Sequence, residues 1–361
     1  MKNKRIWIIL PIVCILSGIC FTVIGMMLGG IPGFYLDGTG VHSSRENVPY
    51  EPETFRQTTE LEPFNCIDLK INYADVTFVP SDRYAVSYCL TGSMGAPVCQ
   101  VENETLTFCE NPLENDFRVY FFYTDPVSHQ RNKEIPESFL KVEYPAGKDF
   151  SQITVGLDSG LLNLPPLNAD TLQIKNEYGD VSLEGYNGTD LLLQMSGGCL
   201  TAGSVQADQA KLYNDYGDIS LDTFTGKALD LHMSSGSLTL GAIEADQAEL
   251  KNEYGSIFVR QGAGSRLDVY LDSGSFLADS LDFSSLNVKN EYAPVYLKLF
   301  GSLDDYTYNL YTDYGSIQID GRHIEPEEEG SSEISYRSEG SSEKTVEIRC
   351  ESGDIIIDPA Q

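Results

Sequence analysis

The sequence predicts an all-β protein: a parallel β-solenoid of about 19 residues per coil, preceded by one N-terminal transmembrane helix. Three observations predict it. A glycine-marked repeat runs through most of the chain, short alternating apolar runs lie between its turn residues, and an uncharged apolar stretch lies near the N-terminus.

The apolar stretch predicts a membrane anchor. Residues 6–36 carry no charge, and residues 6–28 alone exceed the roughly 20 residues that cross a bilayer. Because Lys2, Lys4 and Arg5 precede them, we expect residues 1–5 in the cytoplasm, a signal-anchor helix over 6–31, and an extracellular remainder in a single-pass membrane protein. A cleaved signal peptide is the alternative, but its apolar core would span only about 7–15 residues. Lipidation at Cys20 is disfavoured because the bulky Ile19 precedes it.

Composition sets the remaining boundaries. Residues 32–62 combine Gly, Ser, Pro and acidic side chains without periodicity, which predicts a flexible extracellular stalk. The solenoid is expected over 63–358, with a disordered acidic insertion at 325–344 that is rich in Glu, Ser and Gly. The strands that follow this insertion are expected to close the stack as a cap.

The repeat defines the fold. The segment KNEYGDV at 175–181 returns as YNDYGDI, KNEYGSI and KNEYAPV at 38-residue intervals. A second series, DSG, SGG, SSG and DSG from residue 158 onward, has the same period and is offset by half of it. The structural unit is therefore 19 residues long.

One column of this repeat predicts chain corners, because glycine takes a positive φ without steric cost. Apolar alternation on both sides of the column predicts two short strands and two turns per coil, stacked about 4.8 Å apart. Ala293 stands in the column in place of a glycine. The predicted corner glycines are Gly160, Gly179, Gly198, Gly217, Gly236, Gly255, Gly274, Gly315 and Gly353.

Two further columns recur every second coil. Asn176, Asn214, Asn252 and Asn290 are expected to be buried and to bond backbone groups of the turns. An aromatic series two residues later would place its rings about 10 Å apart. Such a line can bind sugars or peptides, and packing at the corners is the alternative. The series is Tyr178, Tyr216, Tyr254 and Tyr292, with Tyr314 as a further candidate.

Charge and cysteine content exclude several classes of function. With 24 Lys and Arg against 54 Asp and Glu, the formal charge is -30, which disfavours nucleic acid and anionic headgroups and permits cationic ligands. The same charge also serves solubility. No C-x-x-C motif occurs and the four His are scattered, so no metal, cofactor or catalytic residue is predicted. Export permits disulfides without fixing their pairing among Cys66, Cys89, Cys99, Cys109, Cys199 and Cys350.

The run LKVEYP at 140–145, ITV at 153–155, DSG at 158–160 and the repeated Tyr-Gly-Asp-Val and Ser-Gly-Ser-Leu corners resemble a bacterial adhesin-like domain of unknown function. The resemblance covers roughly residues 64–358. It implies a β-solenoid outside the membrane without catalytic residues, in a family whose relatives are linked to envelope stress and to sensing cationic antimicrobial peptides.

These observations predict a non-enzymatic binding or structural role at the cell envelope, either adhesin-like or in sensing. Partners would be the membrane and a cationic peptide, wall polymer or protein, and nucleic acid is excluded. One alternative is a carbohydrate-active β-helix enzyme, and another is a calcium-binding surface repeat. The carboxylates open to the enzymatic alternative recur at corners, where turn chemistry alone favours them; they are Asp180, Asp215, Asp218, Glu253 and Asp272.

Overall fold

The computed structural model describes residues 17–18, 21, 24, 34–37, 40–43, 53–92, 95–110, 119–121, 137–326, 331–338 and 342–360. The predicted cytoplasmic stub lies outside them, as does the predicted span 6–31 apart from Ser17, Gly18, Phe21 and Ile24. Among the described residues, none forms a helix with the length and hydrophobicity that a bilayer crossing requires.

The described chain is almost entirely β-strand, which confirms the all-β prediction. Before the repeat lie β1 (Phe34–Asp37), β2 (Gly40–Ser43), β3 (Glu53–Glu60), β4 (Cys66–Ile71), β5 (Asp75–Ser81), β6 (Ala85–Gly92), β7 (Val98–Glu102), β8 (Thr105–Cys109), β9 (Val119–Phe121) and β10 (Phe139–Pro145). The repeat forms β11 (Asp149–Ser159), β12 (Leu162–Leu164), β13 (Leu167–Tyr178), β14 (Val181–Met195), β15 (Leu200–Tyr216), β16 (Ile219–Ser235), β17 (Leu238–Tyr254), β18 (Ile257–Ser273), β19 (Phe276–Tyr292) and β20 (Val295–Leu299). After a 3-10 turn at Leu303–Asp305 come β21 (Tyr306–Tyr314), β22 (Ile317–Ile319), β23 (Arg322–Ile324), β24 (Ile334–Arg337), β25 (Lys344–Ser352) and β26 (Ile355–Pro359).

The chain divides into two compact units. In the smaller one, β1 pairs antiparallel with both β2 and β9. The larger unit covers Phe55–Leu90, Pro97–Glu110 and Glu137–Gln361 and contains the repeat. The predicted stalk therefore contains described strands, because β3 pairs with β6 and belongs mostly to the larger unit.

Parallel pairing between successive coils gives the repeat its 19-residue register. Leu200 of β15 lies opposite Val181 of β14 and Ile219 of β16, each 19 residues away, and the same offset continues through β19. Side chains at one position of the coil therefore form a file along the stack. One buried file runs through Leu200, Ile219, Leu238, Ile257 and Phe276, and each such side chain contributes about 1.5–3 kcal/mol by leaving water.

Each coil has three short sides, whereas the sequence predicts two. In β15 the inward residues lie two apart until steps of three occur after Ala202 and after Ala207, and pairing with β16 skips Gly203 and Asp208 at these places. The strand bends there without any positive-φ residue, so no invariant glycine marks the extra corners. The inward residues of β15 are Leu200, Ala202, Val205, Ala207, Ala210, Leu212 and Asn214.

At both ends of the stack, the order of layers in space differs from their order in the chain. β4 and β5 lie between β8 and β10 on one side and β11 and β12 on the other. At the far end, β25 lies between β19 and β21, and β26 lies between β20 and β22. The last strands of the chain are therefore an inserted layer and not the expected cap.

Antiparallel strands close the two ends instead. At the first end β7 pairs with β8 and β6 pairs with β10; at the last end β24 pairs with β21 and β23 pairs with β22. Strand edges left open would invite pairing with another chain, and short antiparallel strands remove that hazard. β24 forms inside the region predicted to be disordered because Ile334 is buried against the core within an otherwise polar segment.

The close approach of layers at the glycine corners predicts a selective loss of stability. Gly236 has φ of 119°, and a Cβ there would overlap the carbonyl oxygen of Gly217. We expect Gly236→Ala to lower the free energy of unfolding by about 3 kcal/mol, measured by urea denaturation of the full-length chain in detergent.

Gly147→Ala is the matched control for this substitution. Gly147 also has a positive φ, of 73°, but nothing lies within 4 Å of its would-be Cβ. It should lose only about 1 kcal/mol, the cost of the backbone conformation alone. Equal losses in the two variants would show that contact between layers does not constrain the corner.

Candidate functional site

The corner column brings its residues into a single file. The glycines with positive φ in this file are Gly160, Gly179, Gly198, Gly217, Gly236, Gly255, Gly274 and Gly353, with values from 97° to 159°. A Cβ built on any of them would come against the backbone of the corner in the layer before it, and Gly315 meets Gly353 in the same way. The file runs Ala74, Gly160, onward to Gly274, then Ala293, Gly353 and Gly315.

Buried asparagines hold these corners from the inside. The Nδ2 of Asn214 donates to the carbonyl of Gly217 in its own layer at 3.2 Å and to that of Gly198 in the layer before at 3.0 Å. Asn290 bonds Ala293 and Gly274 in the same way. One amide nitrogen carries two donors, so an asparagine is needed only in every second layer.

Outside the same corners lies a row of exposed tyrosines, which we call the tyrosine ladder. Tyr178, Tyr216, Tyr254 and Tyr292 are 62 to 69% exposed, so they do not pack into the corners. Two more tyrosines extend the row, Tyr73 at the Ala74 corner with 68% exposure and Tyr314 beside Gly315 with 66%. The tyrosine ladder is Tyr73, Tyr178, Tyr216, Tyr254, Tyr292 and Tyr314.

The spacing of the tyrosine ladder is set by the interleaved layers. Tyr216 and Tyr254 both lie opposite Ser235, and Tyr292 and Tyr314 both lie opposite Ser352 of the inserted strand β25. Consecutive tyrosines are therefore two layers, or about 9.6 Å, apart. Tyr73 escaped prediction because its corner, Asn72-Tyr73-Ala74, lacks the glycine.

Acidic side chains accompany the tyrosines. The residue before each tyrosine from Tyr178 onward is a carboxylate in the same file, and we call this set the acid column: Glu177, Asp215, Glu253, Glu291 and Asp313. Asp215, Glu253 and Glu291 are exposed to solvent. Charges of one sign repeated along a line raise the local concentration of cations.

A family profile matches two segments of the sequence, residues 64–242 and 235–358, and thereby covers most of the chain. The chain belongs to the Toastrack family, DUF4097. This confirms the resemblance to the adhesin-like domain of unknown function. No curated protein matches the Toastrack chain in sequence.

Several solved structures resemble this Toastrack chain at low identity. A candidate lipid-binding protein from Parabacteroides distasonis is 15% identical, with 67% of this chain and 91% of that chain covered and a TM-score of 0.34. A candidate adhesin from Bacteroides fragilis is 12% identical, with 84% and 97% covered and a TM-score of 0.33. A candidate adhesin from P. distasonis is 10% identical, with 85% and 97% covered and a TM-score of 0.32.

Two of the carboxylates considered for catalysis connect layers of the Toastrack solenoid. Asp180 Oδ1 accepts the N–H of Cys199, and Asp218 Oδ1 accepts that of Ser237, both at 2.8 Å and both from the next layer. Asp75 and Asp354 do the same for Leu161 and Ser316. Asp215 and Glu253 belong to the acid column, and Asp272 lies in the same file one layer beyond Glu253.

The neighbouring outward file carries cations and aromatic rings. Lys251 and Lys289 lie 5.3 and 5.7 Å from the ring of Tyr270, and Arg349 lies 5.0 Å from that of Tyr311. These cation–π contacts are worth roughly 0.5–1 kcal/mol each at exposed positions. This face therefore satisfies its cations internally.

One cluster in the described part of the chain brings metal-ligand atoms together. Donor atoms of Asp230, His232 and Glu249 lie within 4.8 Å of one another. His232 Nε2 is 2.8 Å from Asp230 and 3.3 Å from Glu249, while Lys251 pairs with Glu249. The cluster is thus already an ion-pair network with its own cation.

The six described cysteines, which are those predicted to lie outside the membrane, are free thiols in this structure. Cys89 and Cys350 are buried, and Cys199 is exposed at a corner. Cys350 occupies the position of the buried asparagines, and its Sγ donates to the carbonyl of Ala293. It therefore serves the corner in the inserted layer as the amides do elsewhere.

A buried carboxylate supports the first tyrosine of the ladder. Glu110 is 1% exposed, and its Oε2 accepts the N–H groups of Asn72 at 2.6 Å and Tyr73 at 3.1 Å. Its Oε1 has no hydrogen-bond partner among the described residues. Burial raises the pKa of Glu110 above its usual value, the two N–H bonds oppose the rise, and the charge of Asp158 adds to it.

This arrangement predicts a pH dependence of stability. Because the pKa of Glu110 is higher in the folded than in the unfolded chain, its contribution favours folding at low pH and is lost as pH rises through the folded pKa. Glu110→Gln should raise the free energy of unfolding at pH 7 by about 1 kcal/mol, with a smaller gain at pH 4.

Glu143→Gln is a control of opposite sign. Glu143 is 6% exposed, and bonds from Lys141 at 2.7 Å and Arg83 at 3.0 Å hold its pKa below the usual value. Its stabilisation is present above the unfolded pKa and is lost as pH falls through the folded one. This variant should lose about 1 kcal/mol at pH 7, because both partners are half exposed and screened, and less at pH 4. Parallel pH profiles for the two variants would refute the assignment of Glu110.

Proposed function

We propose that this Toastrack chain is a non-enzymatic binding protein of the cell envelope whose ligand-contact surface is the tyrosine ladder. A helix within residues 6–31 would anchor it, with residues 1–5 in the cytoplasm and the solenoid outside. The observation that carries the proposal is the exposure of six tyrosines, 62 to 69% each, in one file. Aligned exposed rings cost hydration without return unless a ligand covers them.

Charge favours a cationic ligand. The acid column lies immediately beside the tyrosines, and the whole chain has a formal charge of -30. Polyanions would be repelled, whereas a cationic peptide would gain both attraction at long range and contact with the rings. A wall polymer is the second candidate, because the rings repeat along a line as the units of a polymer do.

The absence of catalysis rests on the use made of the corner carboxylates. Asp180 and Asp218 accept backbone N–H groups of the next layer, a role that requires them to stay ionised and fixed. The acid column repeats with the layers, so it singles out no acid and base pair. A repeating surface of this kind suits a repeating ligand.

The proposed anchor predicts a defined topology. The full-length chain should sediment with membranes, and externally added protease should digest the solenoid in intact spheroplasts. Replacing Lys2, Lys4 and Arg5 by Glu removes the positive-inside signal and should leave a larger protected fraction. A chain found in the soluble fraction would disprove the anchor.

The tyrosine ladder predicts a loss of binding on truncation. Replacing Tyr178, Tyr216, Tyr254 and Tyr292 by Ser should weaken binding of a fluorescent Arg-rich peptide to the full-length chain at least tenfold, since buried tyrosines dominate many interfaces. Fluorescence anisotropy measures this, and pull-down with purified wall polymer tests the second candidate.

A matched control keeps the number of tyrosines replaced at four. Tyr213, Tyr270, Tyr296 and Tyr311 lie in outward files beside the ladder and carry similar rings. Their replacement by Ser should leave affinity within about twofold. If both quadruple variants bind the peptide and the wall polymer as the wild type does, the tyrosine ladder is not the contact surface.

A further inference from the structure

We propose that the tyrosine ladder binds a basic peptide in the polyproline II conformation, with every third residue placed against a tyrosine. The inference rests on the proposed function and specifies the ligand of the same surface. It comes from the repeat distance of the ladder, its small intervening residues and the position of the acid column.

The repeat distance selects the conformation of the ligand. Tyrosines two layers apart are separated by about 9.6 Å, from a strand spacing of about 4.8 Å. A polyproline II helix has three residues per turn and rises about 9.3 Å per turn, so its third residues fall on one face at nearly the ladder spacing. An α-helix returns to the same face after about 5.4 Å and a β-strand after about 6.7 Å, and neither matches.

The match persists along the whole ladder. A mismatch of about 0.3 Å per step accumulates to only about 1.5 Å over the five steps from Tyr73 to Tyr314. The inserted strand β25 keeps this register, because it supplies the layer between Tyr292 and Tyr314. Without that layer the last two tyrosines would be one spacing too close.

Small residues leave room between the rings. The positions that alternate with the tyrosines are Ser159, Gly197, Ser235, Ser273 and Ser352. A ring in every layer would lie about 4.8 Å from its neighbours and close the gaps. As built, each gap is open to a proline ring, and aromatic grooves of this type are a known mode of recognising polyproline II segments.

The acid column fixes the charge of the ligand. Each carboxylate precedes its tyrosine by one residue, so it lies on one side of the ring file and repeats at the same distance. A polyproline II peptide that directs one face to the rings directs its next face to this side. Arginine there would form charge-assisted hydrogen bonds with the acid column, which predicts a Pro-Pro-Arg pattern.

Three peptides of equal charge test the register against the full-length chain in detergent, by fluorescence anisotropy at fixed ionic strength. (Pro-Pro-Arg)5 has the matching conformation and period. (Pro-Pro-Pro-Arg)5 keeps the conformation with a period of four, and (Gly-Gly-Arg)5 keeps the period without the stiffness. We expect at least tenfold tighter binding of (Pro-Pro-Arg)5 than of the other two, and loss of this preference in the quadruple Tyr→Ser ladder variant.

A second variant keeps all the tyrosines. Ser235→Tyr together with Ser273→Tyr fills two gaps at partly exposed positions and should weaken (Pro-Pro-Arg)5 at least tenfold, with circular dichroism unchanged. Unchanged affinity in this variant would overturn the proposal.

The outcomes separate the inference from the proposed function. Equal, tyrosine-dependent binding of all three peptides would overturn the register and leave the ladder as a general cationic-peptide surface. Binding of wall polymer in place of any peptide would overturn the inference and retain the binding role. Binding of none of these ligands would remove both.

Discussion

The structure depends on one constraint, the close approach of successive layers at the glycine corner. A Cβ on Gly255 would overlap the carbonyl oxygen of Gly236, and the same holds along the file. Layers that meet this closely cannot slip by one residue, so the corner sets the register for every other file. Ala293 is compatible because Pro294 follows it, and a residue before proline favours extended backbone over the positive φ of its neighbours. The order of the tyrosine ladder is thus a consequence of backbone packing.

A second period is superimposed on the first by hydrogen bonding. An asparagine amide has two N–H donors, and Asn214 uses them on its own corner and on the one before. The layers between are free to place Met195 and Met233 at the same position, which adds apolar burial where no donor is needed. The tyrosines occupy the same layers as the asparagines. The 38-residue repeat of the sequence is therefore a chemical alternation within a 19-residue geometry.

Much of this architecture is visible in the sequence because glycine and alternation have direct physical meanings. The corner file, the strands on either side and the buried asparagines all follow from the spacing of residues such as Gly179 and Asn176. Three features do not follow. The extra bends at Gly203 and Asp208 need no positive φ, the exposure of Tyr178 depends on how sharply the corner turns, and Tyr73 lies at a corner without glycine. The layer order at the ends depends on pairing between distant segments, such as β19 with β25, which no local pattern encodes.

The interleaved ends have a mechanical consequence. In an ordinary repeat array the terminal unit has one neighbour and peels away first under load. Here β4, through which tension from the N-terminal side reaches the larger unit, is bonded on one side to β8 and on the other to β11. Force directed along β4 must shear both rows of hydrogen bonds at once instead of unzipping one bond after another. A solenoid tethered in this way would hold its ligand under drag, such as fluid flow across a cell surface, without unravelling from the tether.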